Sequence, residues 1–229
     1  MWSKESCLRF RPTRESNLAP LACEASGLTT ELQDSRLVLV PRWPLMMGSP
    51  EKRPAEYGPI VDYSYRDLDT LTEAYDVAAR PGLRPYTYTE QGRILSCSFR
   101  ISNNQLQDIS FLNELLTHVL ADPTRLFWLD LSFNSLAHIH PVLTTFSNLQ
   151  ILYLHGNSIN NLAEIRKLGT VVPLRSLTLH GNLVELEKGY RVNPSMSSPR
   201  SQVLGMIPQL KVLDFSAVTR QDRSTAAVL

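Results

Sequence analysis

The sequence predicts an α/β solenoid: a short right-handed horseshoe of parallel strands backed by helices or irregular turns, with an N-terminal helical element and a C-terminal cap. Two observations predict it. First, four segments of the 229-residue chain share one template, apolar–x–apolar–x–x–Asn–x–apolar. They are Phe99–Leu106, Leu129–Leu136, Leu152–Ile159 and Leu177–Val184; three carry a further leucine three residues earlier, at Leu126, Leu149 and Leu174. Second, the shared asparagines, Asn104, Asn134, Asn157 and Asn182, lie 30, 23 and 25 residues apart. Self-similarity at a period of roughly 20–50 residues marks stacked repeat units. A fifth copy, Leu210–Val218, keeps the apolar frame but puts Val218 where the asparagine would stand.

The elements follow in order. Residues 1–61 show no helical or strand periodicity and hold prolines at 12, 20, 41, 44, 50, 54 and 59. Each proline removes a backbone donor and restricts its predecessor, so this segment reads as disordered or extended. Residues 1–45, upstream of Met46-Met47, read as an extension without structural role. Residues 62–92 form a helical flank. There Leu68, Leu71, Tyr75 and Ala78 or Ala79 step by three and four, which predicts one amphipathic helix from Asp67 to Arg80, ended by Pro81-Gly82. Residues 93–224 form the repeat domain and 225–229 a tail. Ile109, Leu112, Leu115 or Leu116, Val119 and Leu120 predict a second helix, stopped by Asp122-Pro123. Residues 192–202, with Pro194, Pro199 and four serines, read as a surface loop inserted into the last repeat.

The template has a physical reading. Each L-x-x-L-x-L run makes a short strand whose leucines point inward while the residues between face out. The chain then turns sharply, leaving backbone groups in the turn without partners. A buried asparagine carries both acceptor and donors, so Asn104, Asn134, Asn157 and Asn182 can form a ladder bridging neighbouring turns. Asn161 falls outside the template and should tolerate substitution. The last copy needs no bridge onward, because nothing stacks after it.

The outward strand positions carry Phe127, Trp128 and Asp130 in the second repeat, and Gln150, Ile151 and Tyr153 in the third. Arg100, Arg175, Thr178, Lys211 and Asp214 surround them. Apolar side chains on an open sheet face need a cover, and Trp, Tyr and Arg dominate binding hot spots. Arg100, Phe127, Trp128, Asp130, Ile151, Tyr153, Arg175 and Thr178 on the concave face are therefore the candidate partner-binding residues. The other reading packs Trp128 and Phe127 under the N-terminal segment of the same chain.

Composition narrows the function. There are 23 basic and 22 acidic residues, a net charge of +1, which excludes a strongly basic nucleic-acid binder. No apolar run approaches the roughly 18–20 residues of a membrane-spanning helix, and no hydrophobic stretch follows the start, so neither a membrane partner nor a secretory signal is expected. Three scattered cysteines, Cys7, Cys23 and Cys97, argue against a disulfide framework or a structural zinc site. Phosphate-binding and nucleophile motifs are absent, so no catalytic residue, cofactor or metal ligand is assigned. His138 and His140 flank Ile139 without a third ligand. His155 and His180 occupy equivalent positions in consecutive repeats. They read either as a metal or pH-sensing pair or as residues the tight turns at Gly156 and Gly181 accept.

These repeats resemble the leucine-rich repeat superfamily, most closely its intracellular, about-22-residue class, which includes phosphatase-regulator and axonemal-dynein-light-chain relatives. Asp130-Leu131-Ser132-Phe133-Asn134, Leu152–Ile159, Leu177–Asn182 and Glu187-Lys188-Gly189-Tyr190-Arg191 carry the resemblance. Leu183 stands where the class usually has a proline, and the 192–202 insert lengthens the last repeat. The resemblance implies a cytoplasmic, non-enzymatic interaction scaffold whose partners are other proteins. It further implies a structural subunit of a ciliary or flagellar axonemal assembly, or alternatively a regulatory subunit that targets a protein phosphatase.

Overall fold

The computed structural model describes residues 58–186 and 199–227. Residues 1–57 of the segment expected to be extended, residues 187–198, which hold the Glu187–Arg191 landmark and the first part of the insert, and the last two residues lie outside them. Among the described residues one sheet of seven strands runs in sequence order: β1 (Val61–Asp62), β2 (Ser98–Arg100), β3 (Trp128–Asp130), β4 (Ile151–Tyr153), β5 (Ser176–Thr178), β6 (Val212–Leu213) and β7 (Ser216–Ala217). β1 to β6 are parallel, and β7 turns back antiparallel onto β6. This is an α/β leucine-rich repeat solenoid.

Register explains the core. Val61, Phe99, Leu129, Leu152, Leu177 and Leu213 pair in one row, and all are buried. Leu126, Leu149 and Leu174 before that row, and Leu131, Leu154 and Leu179 after it, are buried too. Burying each such side chain stabilises by roughly 1.5–3 kcal/mol. Parallel neighbours need crossovers, and these supply the second layer. After β2 comes α1 (Leu112–Val119), which buries Leu112, Leu115, Leu116 and Val119. After β4 comes α2 (Leu162–Ile165), which runs on as a 3-10 helix to Thr170.

Each asparagine makes the same connections. Asn134 Nδ2 donates to Ile101 O of the preceding turn (3.1 Å) and to Leu131 O of its own (3.0 Å), while its Oδ1 accepts from Leu106 N–H (3.2 Å). Asn157 bridges Leu131 O, Leu154 O and Leu136 N–H in the same way. Asn182 bridges Leu154 O, Leu179 O and Ile159 N–H. Asn104 donates to Tyr63 O and Ile101 O, and accepts from the N–H groups of Arg66 and Leu68. Residues 61–66 thus behave as one more turn ahead of the four repeats.

That turn corrects the N-terminal expectation. The helix from Asp67 to Arg80 does not form; only a five-residue 3-10 helix, Leu71–Tyr75, is present. Leu68 is tied at both its N–H and its carbonyl, to Asn104 and Gln105, and Arg80 N–H donates to Asp62 O (2.7 Å). The backbone is committed to the edge of the sheet and is not free for helical bonds. Tyr75, which a full helix would have turned inward, is exposed. Asp62 N–H donates to the Tyr86 hydroxyl (3.4 Å), so β1 is covered along its outer edge.

The C-terminal end corrects two more. From Pro199 the insert is α3 (Pro199–Met206) rather than a surface loop. It is tied down by the Arg200 guanidinium, which donates to Leu213 O (3.0 Å), Ala217 O (2.9 Å) and Asp222 of α4 (Arg220–Ala226). Asp214, expected to face out, turns its Oδ1 back to accept from the N–H groups of Leu179 (2.6 Å) and His180 (3.0 Å). Asn161 is not idle either: it N-caps α2 by accepting from Ala163 N–H (2.8 Å).

Candidate protein-interaction surface

Outward side chains alternate with the buried row. Register aligns Ser98, Trp128, Ile151 and Ser176 in one column, and Asp62, Arg100, Asp130, Tyr153 and Thr178 in a second. In the second column Arg100 lies between two carboxylates, 3.6 Å from Asp62 and 3.3 Å from Asp130, with its guanidinium 5.3 Å from the Trp128 ring. Burial pushes the Asp130 carboxyl above its usual range; donation from Ser132 and the Arg100 charge work against that rise.

Four of the sequence-selected residues are not open to a partner. Trp128 is 2% exposed and Thr178 0%, and Phe127 and Asp130 are also buried. The Tyr153 ring stands edge-on to Trp128 at 5.6 Å, and the Thr178 hydroxyl lies 2.8 Å from His155 Nδ1. Arg100, Ile151, Tyr153 and Arg175 keep partial exposure. Arg175 sits at the start of β5 and donates to the carbonyls of Val172 and Leu174.

The accessible chemistry gathers at the exit ends of the strands. His155 and His180 stack at 4.7 Å with 11° between their planes. Phe215 stands against Tyr153, His155 and His180 with centroids 5.5–5.6 Å away, and Phe133 meets His155 from the other side at 5.0 Å. Burial, reinforced by His180, pushes the His155 imidazole down to about 4 against the pull of Asp214, so it is neutral at neutral pH. His180 Nδ1 lies 3.2 Å from Asp214 Oδ1. Burial tends to raise the Asp214 carboxyl, but donation from His180 and from the N–H groups of Leu179 and His180 outweighs it and holds the group below its ordinary range. No cluster of three metal-ligating side chains exists among the described residues.

No protein-family model matches the chain. Leucine-rich repeat-containing protein 51 of Rattus norvegicus is 46% identical over 170 residues, which span 74% of this chain and 84% of that protein. The chain belongs to this family. The Homo sapiens member is 45% identical over the same shares. Among solved structures, the Drosophila melanogaster SNF/U2A' complex matches 58% of this chain and 67% of that one, at 25% identity and a TM-score of 0.46.

Two residues of this leucine-rich repeat surface escaped the sequence reading, Phe133 and Phe215. The residue before each ladder asparagine adopts positive φ: Asn103 (57°), Phe133 (53°), Gly156 (67°) and Gly181 (73°). Asparagine and glycine accept that region, whereas a bulky side chain there costs on the order of 1–3 kcal/mol. Phe133 breaks the pattern; Phe215 (φ 60°), two residues after Leu213 and so in the row of Leu131, Leu154 and Leu179, is a second aromatic residue at positive φ. Gly156 must be glycine for a second reason, because a Cβ there would lie 2.6 Å from the Phe133 ring. For Phe133 the available signal is an aromatic residue in a column that otherwise holds glycine or asparagine.

Proposed function

We propose that this chain is a non-enzymatic scaffold that holds a partner protein against the exit ends of β3 to β6. The observation behind this reading is the ring cluster of Phe133, Tyr153, His155, His180 and Phe215. Phe133 is 46% exposed and Phe215 52%, although both sit in left-handed backbone that glycine or asparagine accepts more readily. Exposed, rigid aromatic groups set in a fixed sheet are the chemistry of a protein contact. Arg100, Ile151 and Tyr153 extend the contact along the outward columns, where Trp128, Asp130 and Thr178 are buried.

The cellular part of the proposal is a structural subunit of a ciliary or flagellar axonemal assembly in the cytoplasm, and it rests on resemblance to the axonemal relatives of the class. Affinity capture with the full chain from ciliated cells or sperm, read by mass spectrometry, tests it. Tubulin, radial-spoke or dynein proteins are the expected partners. A phosphatase catalytic subunit as the dominant partner would overturn the axonemal assignment and leave the scaffold reading in place.

A further inference from the structure

We propose that the strand-exit cluster recognises a basic partner segment, seating an arginine side chain between the ring of Phe215 and the carboxylate of Asp214. This rests on the scaffold reading above and gives its partner a chemistry.

Charge complementarity carries the argument. Along the outward columns and their C-terminal end stand three carboxylates, Asp62, Asp130 and Asp214, against one guanidinium, Arg100. That guanidinium is already held between Asp62 and Asp130 and over Trp128. Asp214 is the carboxylate left without a cationic side chain of Lys or Arg. Its Oδ1 is occupied by Leu179 N–H, His180 N–H and the His180 ring, whereas among the described residues its Oδ2 takes no hydrogen bond. Its side chain is 35% exposed.

The Arg200 guanidinium lies near, on the carbonyls of Leu213 and Ala217, but it is paired with Asp222. Arg175 and Lys211 precede Ser176 and Val212, at the opposite ends of the strands, and Arg175 is tied to two carbonyls. His155, which faces the cluster, carries no charge at neutral pH and so does not repel a cation.

Geometry favours arginine over lysine. A guanidinium can lie flat on an aromatic ring and still direct an N–H to a carboxylate, whereas an ammonium is a compact, strongly hydrated point charge. Phe215 offers its exposed ring beside Asp214, the next residue in the chain. Phe133 walls the other side of the imidazole stack. An acidic partner would meet uncompensated negative charge here.

The test is an NMR titration of the full chain with N-acetyl-arginine amide, compared with the neutral isostere N-acetyl-citrulline amide. The arginine probe should shift the ring resonances of Phe215 and His180 saturably, with a Kd on the order of 1–10 mM for a single side chain. The citrulline probe should bind about tenfold more weakly or not at all. Asp214→Asn keeps an oxygen acceptor for Leu179 and His180 but loses the charge those donors favour, so it should melt within a few degrees of the parent while losing roughly fivefold or more in arginine affinity. Absence of saturation, or equal shifts from both probes, overturns the proposal. Partner capture by Phe215→Asn separates the two readings. If capture falls but the arginine probe does not bind, the scaffold surface stands and its arginine assignment fails; unchanged capture with a bound probe is the reverse.

Discussion

Between β2 and β5, four asparagines each donate to carbonyls and accept from backbone N–H groups of a neighbouring turn, whereas at β6 no asparagine follows. There a carboxylate stands in for the strand carbonyl that Leu131 and Leu154 find in the next turn, and two arginines close the end. Asp214 supplies only acceptance, to Leu179 and His180. The donors come from Arg200, on Leu213 O, and from Arg223, on Pro208 O and Leu210 O. An interior turn has turns on both sides, so the side chain inside it must donate and accept at once, and a short amide does both. The last turn leaves carbonyls open towards the end of the solenoid. Long guanidinium side chains from α3 and α4 reach them.

Substitutions on either side of this divide should behave differently. The largest loss is expected inside, at Trp128→Ala. This residue is buried beneath Tyr153 and Arg100, so truncation should cost about 3–5 kcal/mol in chemical denaturation. Asn157→Asp should follow at roughly 3 kcal/mol, since it removes the donors to Leu131 O and Leu154 O and sets a charge in a buried site. Acidification probes the border between the two regions. His155 is held neutral to about 4 against an ordinary 6.5, so the unfolded chain takes up its proton first. Stability should therefore fall as the pH drops from about 6.5 to about 4, and His155→Gln should flatten that slope. Asn161→Ala should cost about 1 kcal/mol through the lost cap of α2. The smallest change is the reciprocal swap at the end, Asp214→Asn, below about 1 kcal/mol because the acceptor survives. Equal losses for Asn157→Asp and Asp214→Asn would erase the distinction.

The same divide governs what the sequence discloses. Interior positions recur because each asparagine meets the same carbonyls, so Asn134, Asn157 and Asn182 announce themselves by spacing. The apolar steps of α1 are equally plain. The first turn hides because Val61-Asp62-Tyr63 has no leucine frame and borrows its asparagine, Asn104, from the next repeat. The false helix at Asp67–Arg80 arose from a true apolar spacing whose backbone hydrogen bonds were claimed by the sheet edge. On the strand face, alternation along the sequence gives the direction of a side chain but not its exposure. It selected Trp128 and Thr178, which neighbouring outward side chains cover. It passed over Phe133 and Phe215, whose placement depends on left-handed backbone rather than on strand alternation.

The central claim is that Phe133 and Phe215 are kept in strained backbone for the sake of binding a partner. Replacing both by asparagine should release part of the roughly 1–3 kcal/mol of strain at each site, while losing the covered part of each ring and its aromatic contacts should cost a similar amount, roughly 1–3 kcal/mol. Melting temperature and partner capture measured on the same full-length double variant give the direct test. The account predicts a melting temperature within a few degrees of the parent, or above it, together with loss of the partner. A fall of more than about 5 °C with the partner retained would show instead that the two rings hold the fold together and that the partner binds elsewhere.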